Sequence, residues 1–132
     1  MSQELLYLYG SLLILLVLIV AQAANTVITN GISYGVGPRD EPAETNAFGG
    51  RAKRAVANHM EGLALFGFAI LILEVSGLNS GLSTMGAALY FWARLAYGPI
   101  YLLGVPWIRT IVWTVGLIGT LIVYYVIGVA AF

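Results

Sequence analysis

The sequence predicts an all-α integral membrane protein, a bundle of four membrane-spanning helices. Hydrophobic side chains make up 60% of the 132 residues and charged ones 9%, which is too little polar surface for a fold surrounded by water. Four apolar runs, at about 5–28, 51–75, 82–102 and 107–131, each approach the roughly 20 residues that a helix needs to cross the hydrocarbon core. Because no two-residue alternation is present, helices are favoured over a barrel.

The first run is expected to be a spanning helix rather than a cleaved signal peptide. Glu4 and no basic residue precede it, and the run exceeds the roughly 7–15 apolar residues of a signal peptide. The segment that follows, 29–50, is rich in Gly, Pro and Asn. We expect it to be an irregular loop.

The basic residues predict the orientation of the chain. All six lie on one side of the four-helix arrangement: Arg39, Arg51, Lys53, Arg54, Arg94 and Arg109. Under the positive-inside rule the 29–50 loop and the link between the third and fourth helices are cytoplasmic. Both termini are then expected outside the cytoplasm.

Composition excludes several classes of function. The chain has no cysteine, so it has no disulfide, no nucleophilic thiol and no cysteine-based metal site of its own. Its net charge is zero, which gives no electrostatic reason to expect a nucleic acid partner. The single histidine, His59, is expected to be a solvated or interface residue, and no metal site is predicted.

Two predicted helices each carry a polar stripe. The second run contributes Arg51, Arg54, Asn58 and Glu61. The third contributes Tyr90, Arg94, Tyr97 and Tyr101. Spacings of three and four residues put each set on one face of its helix. At about 1.5 Å per residue, Glu61 and Arg94 lie at similar depths, and we expect them to pair because an isolated charge near the bilayer centre costs about 2.5–3.5 kcal/mol.

The stripes allow two interpretations. One is structural, a buried polar network that holds the helices in register. The other is a binding site, because Arg51, Arg54 and Arg109 remain without acidic partners after the expected pairing. Guanidinium groups that converge in a cleft bind carboxylates, so we favour a small ligand with carboxylates. Anionic lipid headgroups are the competing partner.

Two segments resemble a known family. They are RAKRAVANHMEGLALF at 51–66 and FWARLAYGPIYLLGVPWIRTIVW at 91–113. In this order within four apolar runs, they are similar to the MAPEG family, the membrane-associated proteins in eicosanoid and glutathione metabolism, above all to its bacterial branch. The resemblance implies a homotrimer of four-helix subunits in a bacterial inner membrane. It also implies glutathione as co-substrate, held at the subunit interfaces near the cytoplasmic face.

The resemblance assigns roles to the polar residues. Its implied glutathione contacts are Arg51, Arg54, Asn58, Glu61, Arg94, Tyr97 and Tyr101. Arg109 matches the family arginine that stabilises the thiolate. A free thiol has a pKa of about 8.5, and a nearby guanidinium lowers it.

The resemblance implies a glutathione-dependent transferase or peroxidase that acts on hydrophobic electrophiles from the bilayer. Two departures keep an alternative open, a non-catalytic membrane scaffold of the same family that binds lipid or a partner protein. Gly62 stands where family enzymes commonly carry a larger side chain, and the end of the first helix lacks an arginine that some of them use. A small transporter is the least favoured alternative, since the charges cluster near one membrane face.

Glycines in the last two runs predict how those helices pack. Four glycines are expected to allow close approach of two helix backbones: Gly81, Gly86, Gly116 and Gly119. Trp113 is expected to serve as an interfacial anchor or in packing.

Overall fold

The computed structural model describes residues 1–132 and contains helices and connections, with no strand. The five helices are α1 (Gln3–Asn30), α2 (Ile32–Val36), α3 (Ala47–Val75), α4 (Gly81–Leu102) and α5 (Pro106–Ala131). The predicted all-α class is confirmed.

The segment between the first two long helices is more ordered than the sequence suggested. α1 ends at Asn30, where Gly31 adopts a φ of 89°, which glycine tolerates without steric cost. The short helix α2 follows. Asn46 then accepts a hydrogen bond of 2.7 Å from the amide of Gly49, an N-cap that starts α3 at Ala47. The expectation of an irregular 29–50 loop was therefore wrong in part.

Three helices are long and apolar enough to cross a membrane: α1, α3 and α5. The chain is therefore an integral membrane protein. Helix α4 has 22 residues and is not among the three, because Arg94 and several tyrosine, glycine and proline residues lower its hydropathy. Four membrane crossings thus remain a prediction.

Helices α4 and α5 meet backbone to backbone. A Cβ placed on Gly119 would stand 2.5 Å from the carbonyl oxygen of Gly86, and one on Gly86 would stand 2.8 Å from the carbonyl oxygen of Gly119. No side chain fits in this space, so the predicted close packing at these two glycines is confirmed. The contact brings the middle of α5 against the N-terminal half of α4. The same prediction was wrong for Gly81, where nothing lies within 4 Å of the Cβ position.

Two apolar clusters surround the polar stripes. One contains Phe66, Ile70 and Tyr90, and the rings of Phe66 and Tyr90 stack with centroids 3.9 Å apart. The other contains Val56, Tyr97 and Tyr101 together with Leu18 of α1. Aromatic residues of the α4 stripe are thus packed into the core on one side and reach the stripe of α3 on the other.

Carboxylates join the helix ends that lie opposite the basic residues. Glu4 of α1 is 2% exposed and accepts a hydrogen bond of 2.5 Å from Ser83 in the first turn of α4. Glu74 of α3 accepts hydrogen bonds from Ser2 and Asn79, of 2.9 and 2.8 Å. These contacts tie α1, α3 and α4 together at one end of the bundle.

Candidate functional site

The two polar stripes face each other across α3 and α4. Arg94 donates through Nη1 to the side-chain oxygen of Asn58 at 2.9 Å. About one turn nearer the α3 N-terminus, Arg54 donates through Nε to the hydroxyl of Tyr101 at 3.0 Å. The residue spacing that defined the stripes therefore corresponds to direct contacts between two helices.

Arg51 extends the contact between α3 and α4 to the C-terminal end of α4. Its Nε donates to the carbonyl oxygen of Leu102 at 2.8 Å. Leu102 is the last residue of α4, where carbonyl groups have no partner inside the helix. Arg51 thus stabilises the end of α4, and its remaining N–H groups are still available to a ligand.

Arg94 is held by three neighbours and is 2% exposed. Besides its bond to Asn58, its Nε lies 3.4 Å from Nδ1 of His59, and its Cζ lies 4.5 Å from the ring centroid of Tyr97. A cation over an aromatic face gains about 0.5–2 kcal/mol. These contacts offset part of the cost of burying the guanidinium.

The expected pairing of Arg94 with Glu61 was wrong. None of the hydrogen bonds of Arg94 goes to Glu61, and Glu61 is exposed. Asn58, about one helical turn before Glu61 on the same face, occupies the place opposite Arg94. Glu61 therefore makes no ion pair with Arg94.

His59 is buried, with 1% of its surface exposed, so the expectation of a solvated or interface histidine was wrong. Its Nε2 lies 2.8 Å from the carbonyl oxygen of Ser11 in α1. A carbonyl only accepts, so the proton belongs on Nε2, which leaves Nδ1 to accept from Arg94. The imidazole thus links α1, α3 and α4.

Two adjoining cavities lie between α3, α4 and α5. The inner cavity, of about 130 Å³, is lined by residues that include Asn58, Glu61, Gly62, Tyr90, Arg94 and Trp113. The outer cavity, of about 280 Å³, is lined by Asn58, Tyr97, Tyr101, Arg109, Thr110 and Trp113. Asn58 and Trp113 belong to both linings, so the cavities are neighbours.

Arg109 is the cation of the outer cavity. It lies in the first turn of α5, which starts at Pro106, a residue whose fixed φ suits a helix start. Its Cζ is 5.1 Å from the ring centroid of Tyr101. No carboxylate lines the outer cavity, so the positive charge is left without an acidic neighbour there.

Two buried side-chain atoms have no hydrogen-bond partner: the hydroxyl of Tyr90 and Nη2 of Arg94. Both side chains line the inner cavity. A buried polar group without a partner costs about 1–3 kcal/mol. An oxygen acceptor that reached both atoms would relieve both groups.

The family model described as "MAPEG family" matches residues 5–129 of the chain. The chain belongs to the MAPEG family. Searches of curated proteins and of solved structures gave no match. The MAPEG match covers both stripes and Arg109, and it supports a role for this membrane protein in eicosanoid or glutathione metabolism.

The residues that the sequence analysis selected lie in one region of the MAPEG chain. Arg54, Asn58, Arg94 and Tyr101 contact one another in pairs. Other selected residues complete the region: Tyr97 and Arg109 in the outer cavity, Glu61 in the inner one, and Arg51 at the end of α4.

Sequence reasoning missed two residues of this region. Trp113 lines both cavities, and its position four residues after Arg109 put it on the same helix face. His59 continues a row of buried positions with helical spacing, which includes Ala55, Leu63 and Phe66. That row was the available signal that its imidazole would be buried.

Proposed function

We propose that this chain is a glutathione-dependent membrane transferase or peroxidase that acts on hydrophobic electrophiles. The observation that carries the proposal is a pair of arginines, Arg94 and Arg109, that line adjoining cavities without hydrogen-bonding to a carboxylate. A small ligand with carboxylates and a thiol matches such a pair.

The donor set suits glutathione, which carries two carboxylates and one amino group. Arg94 has an Nη2 without a hydrogen-bond partner. Arg51 and Arg54 each use only Nε to donate a hydrogen bond within the chain. These groups can hold carboxylates, while the exposed carboxylate of Glu61 can hold the amino group. The proposed contacts are Arg51, Arg54, Asn58, Glu61, Arg94, Tyr97 and Tyr101.

Arg109 is the proposed catalytic residue. Bound glutathione supplies a thiol, which reacts as the thiolate. A guanidinium beside a thiol favours the charged form and lowers the thiol pKa. The ring of Tyr101, 5.1 Å from the Arg109 Cζ, keeps that guanidinium at the outer cavity. Trp113 and Leu117 give the cavities apolar walls that would exclude water and accept a hydrophobic electrophile.

The proposal includes an arrangement in the membrane. Residues 1–132 form one domain in which all four long helices cross a bacterial inner membrane, with the 29–50 loop in the cytoplasm and both termini outside it. Large apolar side chains on the outer faces of α1 and α5, such as Val17 at 66% and Ile111 at 63% exposure, suit contact with lipid or with other subunits of a homotrimer.

A second candidate is a non-catalytic scaffold that binds anionic lipid or a partner protein. The contacts of Arg51 with Leu102 and of Arg54 with Tyr101 favour it, because they give two of the arginines a structural use. A scaffold would need these contacts between α3 and α4, but it would not need a thiolate beside Arg109.

A measurement of turnover distinguishes the enzyme from the scaffold. The detergent-purified chain is incubated with glutathione and either chlorodinitrobenzene or a lipid hydroperoxide, and conjugate or oxidised glutathione is measured. The enzyme proposal expects glutathione-dependent product. Arg109→Ala should lower its rate of formation about 100-fold or more, and Arg39→Ala, a change in the exposed loop, should leave it intact. Absence of product with both classes of electrophile favours the scaffold.

A further inference from the structure

Gly62 makes room for the hydroxyl of Tyr90 and for the guanidinium of Arg94. A Cβ on residue 62 would stand 3.3 Å from the Tyr90 hydroxyl oxygen and 3.8 Å from the Arg94 Cζ. The hydroxyl and the guanidinium therefore both lie beside residue 62 of α3. A side chain at position 62 would fill the floor of the inner cavity, where both groups lie.

Both groups are held rigidly by contacts outside the inner cavity. The Tyr90 ring stacks on Phe66 at an interplanar angle of 16°, and the residue is 2% exposed. Arg94 is oriented by Asn58 and His59. Rigid donors that lack a partner are preorganised for a ligand atom, because no rotamer has to be ordered on binding.

We propose that Tyr90 and Gly62 form, with Arg94, a subsite for one carboxylate of the thiol ligand. Arg94 supplies a charged N–H donor and Tyr90 a neutral O–H donor, and a carboxylate has two oxygens to accept from both. The inner cavity, of about 130 Å³, has room for a group of this size. The inference rests on the proposed function, which supplies the ligand.

Glu61 decides which carboxylate enters. It is the one acidic residue of the inner cavity lining. At the amino-acid end of glutathione, the ammonium and the carboxylate are attached to the same carbon, so a positive and a negative charge lie close together. This end therefore complements Glu61 and Arg94 together. The glycine carboxylate at the other end of glutathione has no ammonium beside it.

Gly62 then acts as a specificity-determining residue. The stacked Tyr90 ring cannot swing away without losing its contact with Phe66. A methyl group at position 62 would consequently push on the hydroxyl and narrow the subsite. The absence of a side chain at Gly62 is thus what admits the carboxylate.

The test compares two ligands and three variants by titration calorimetry on the detergent-purified full chain. The ligands are glutathione and the analogue γ-aminobutyryl-cysteinyl-glycine, which keeps the amino group and lacks the carboxylate beside it. The variants are Tyr90→Phe, which retains the ring stack, Gly62→Ala, and the control Tyr125→Phe. Tyr125 is 63% exposed and lies outside both cavities.

Tyr90→Phe is expected to weaken glutathione binding about tenfold, the usual loss for one hydrogen bond to a charged group, and to leave binding of the analogue unchanged. Gly62→Ala is expected to act in the same direction, and Tyr125→Phe to match the wild type. Equal losses for both ligands, or wild-type affinity of Tyr90→Phe for glutathione, would overturn the subsite while the proposed function stands. If the wild-type chain fails to bind glutathione, both fail.

Discussion

The Nε of Arg94 lies 3.4 Å from Nδ1 of His59, and the opposite nitrogen of the same imidazole lies 2.8 Å from the carbonyl oxygen of Ser11. The orientation of the guanidinium in the inner cavity therefore depends on a carbonyl of α1. Arg94 belongs to the polar stripe of α4, but its position depends on α1, a helix that contributes no residue to that stripe.

Replacing His59 tests this dependence. His59→Leu removes both contacts and should lower stability by about 2 kcal/mol, because Arg94 loses an acceptor while it stays buried. His59→Asn can still offer an oxygen to Arg94. Both variants should melt earlier than the wild type, but only His59→Leu should bind glutathione several-fold more weakly. Equal affinities of the two variants would argue that His59 has a packing role alone.

Tyr101 has two separable contacts. Its hydroxyl accepts from Arg54, and its ring lies beneath Arg109. Tyr101→Phe should cost about 1 kcal/mol of stability through the lost hydrogen bond and should preserve kcat, since the ring remains. Tyr101→Ala should lower kcat as well. If Tyr101→Phe lowers kcat as far as Tyr101→Ala does, the hydroxyl rather than the ring serves catalysis.

The glycine contact sets how closely α4 and α5 approach each other. Gly119→Ala would place a methyl group 2.5 Å from the carbonyl oxygen of Gly86, so the helices must move apart at a cost of about 1–3 kcal/mol. Gly128→Ala is the matched control in the same helix, since nothing lies within 4 Å of its Cβ position. Thermal unfolding should distinguish them. Similar melting temperatures would contradict the close packing.

The convergence of the stripes was predictable, because spacings of three and four residues assign side chains to one face and adjacent helices bring such faces together. The hydrogen-bond partner of Arg94 was not predictable in this way. Depth along the axis put Glu61 opposite Arg94, but the structure places Asn58 there, about one turn earlier on the same face of α3. The N-cap at Asn46 was also missed, since composition marked the whole segment as a loop.

The absence of cysteine makes the predicted orientation testable. Single cysteines at Glu41, in the 29–50 loop, and at Ser76, after α3, occupy exposed positions. In intact cells, a membrane-impermeant thiol reagent should label Ser76→Cys, and Glu41→Cys should react only after lysis. The reverse pattern would place the basic residues outside the cytoplasm.

The central claim is that Arg109 stabilises a thiolate at the outer cavity. Its most direct test is the ultraviolet difference spectrum of the thiolate when glutathione is added to the detergent-purified chain at neutral pH. The account predicts a band that saturates with glutathione in the wild type and disappears in Arg109→Ala, which should still bind glutathione and lose about 100-fold or more in kcat. A band of equal size in Arg109→Ala, or saturable binding by the wild type with no thiolate band, would contradict it.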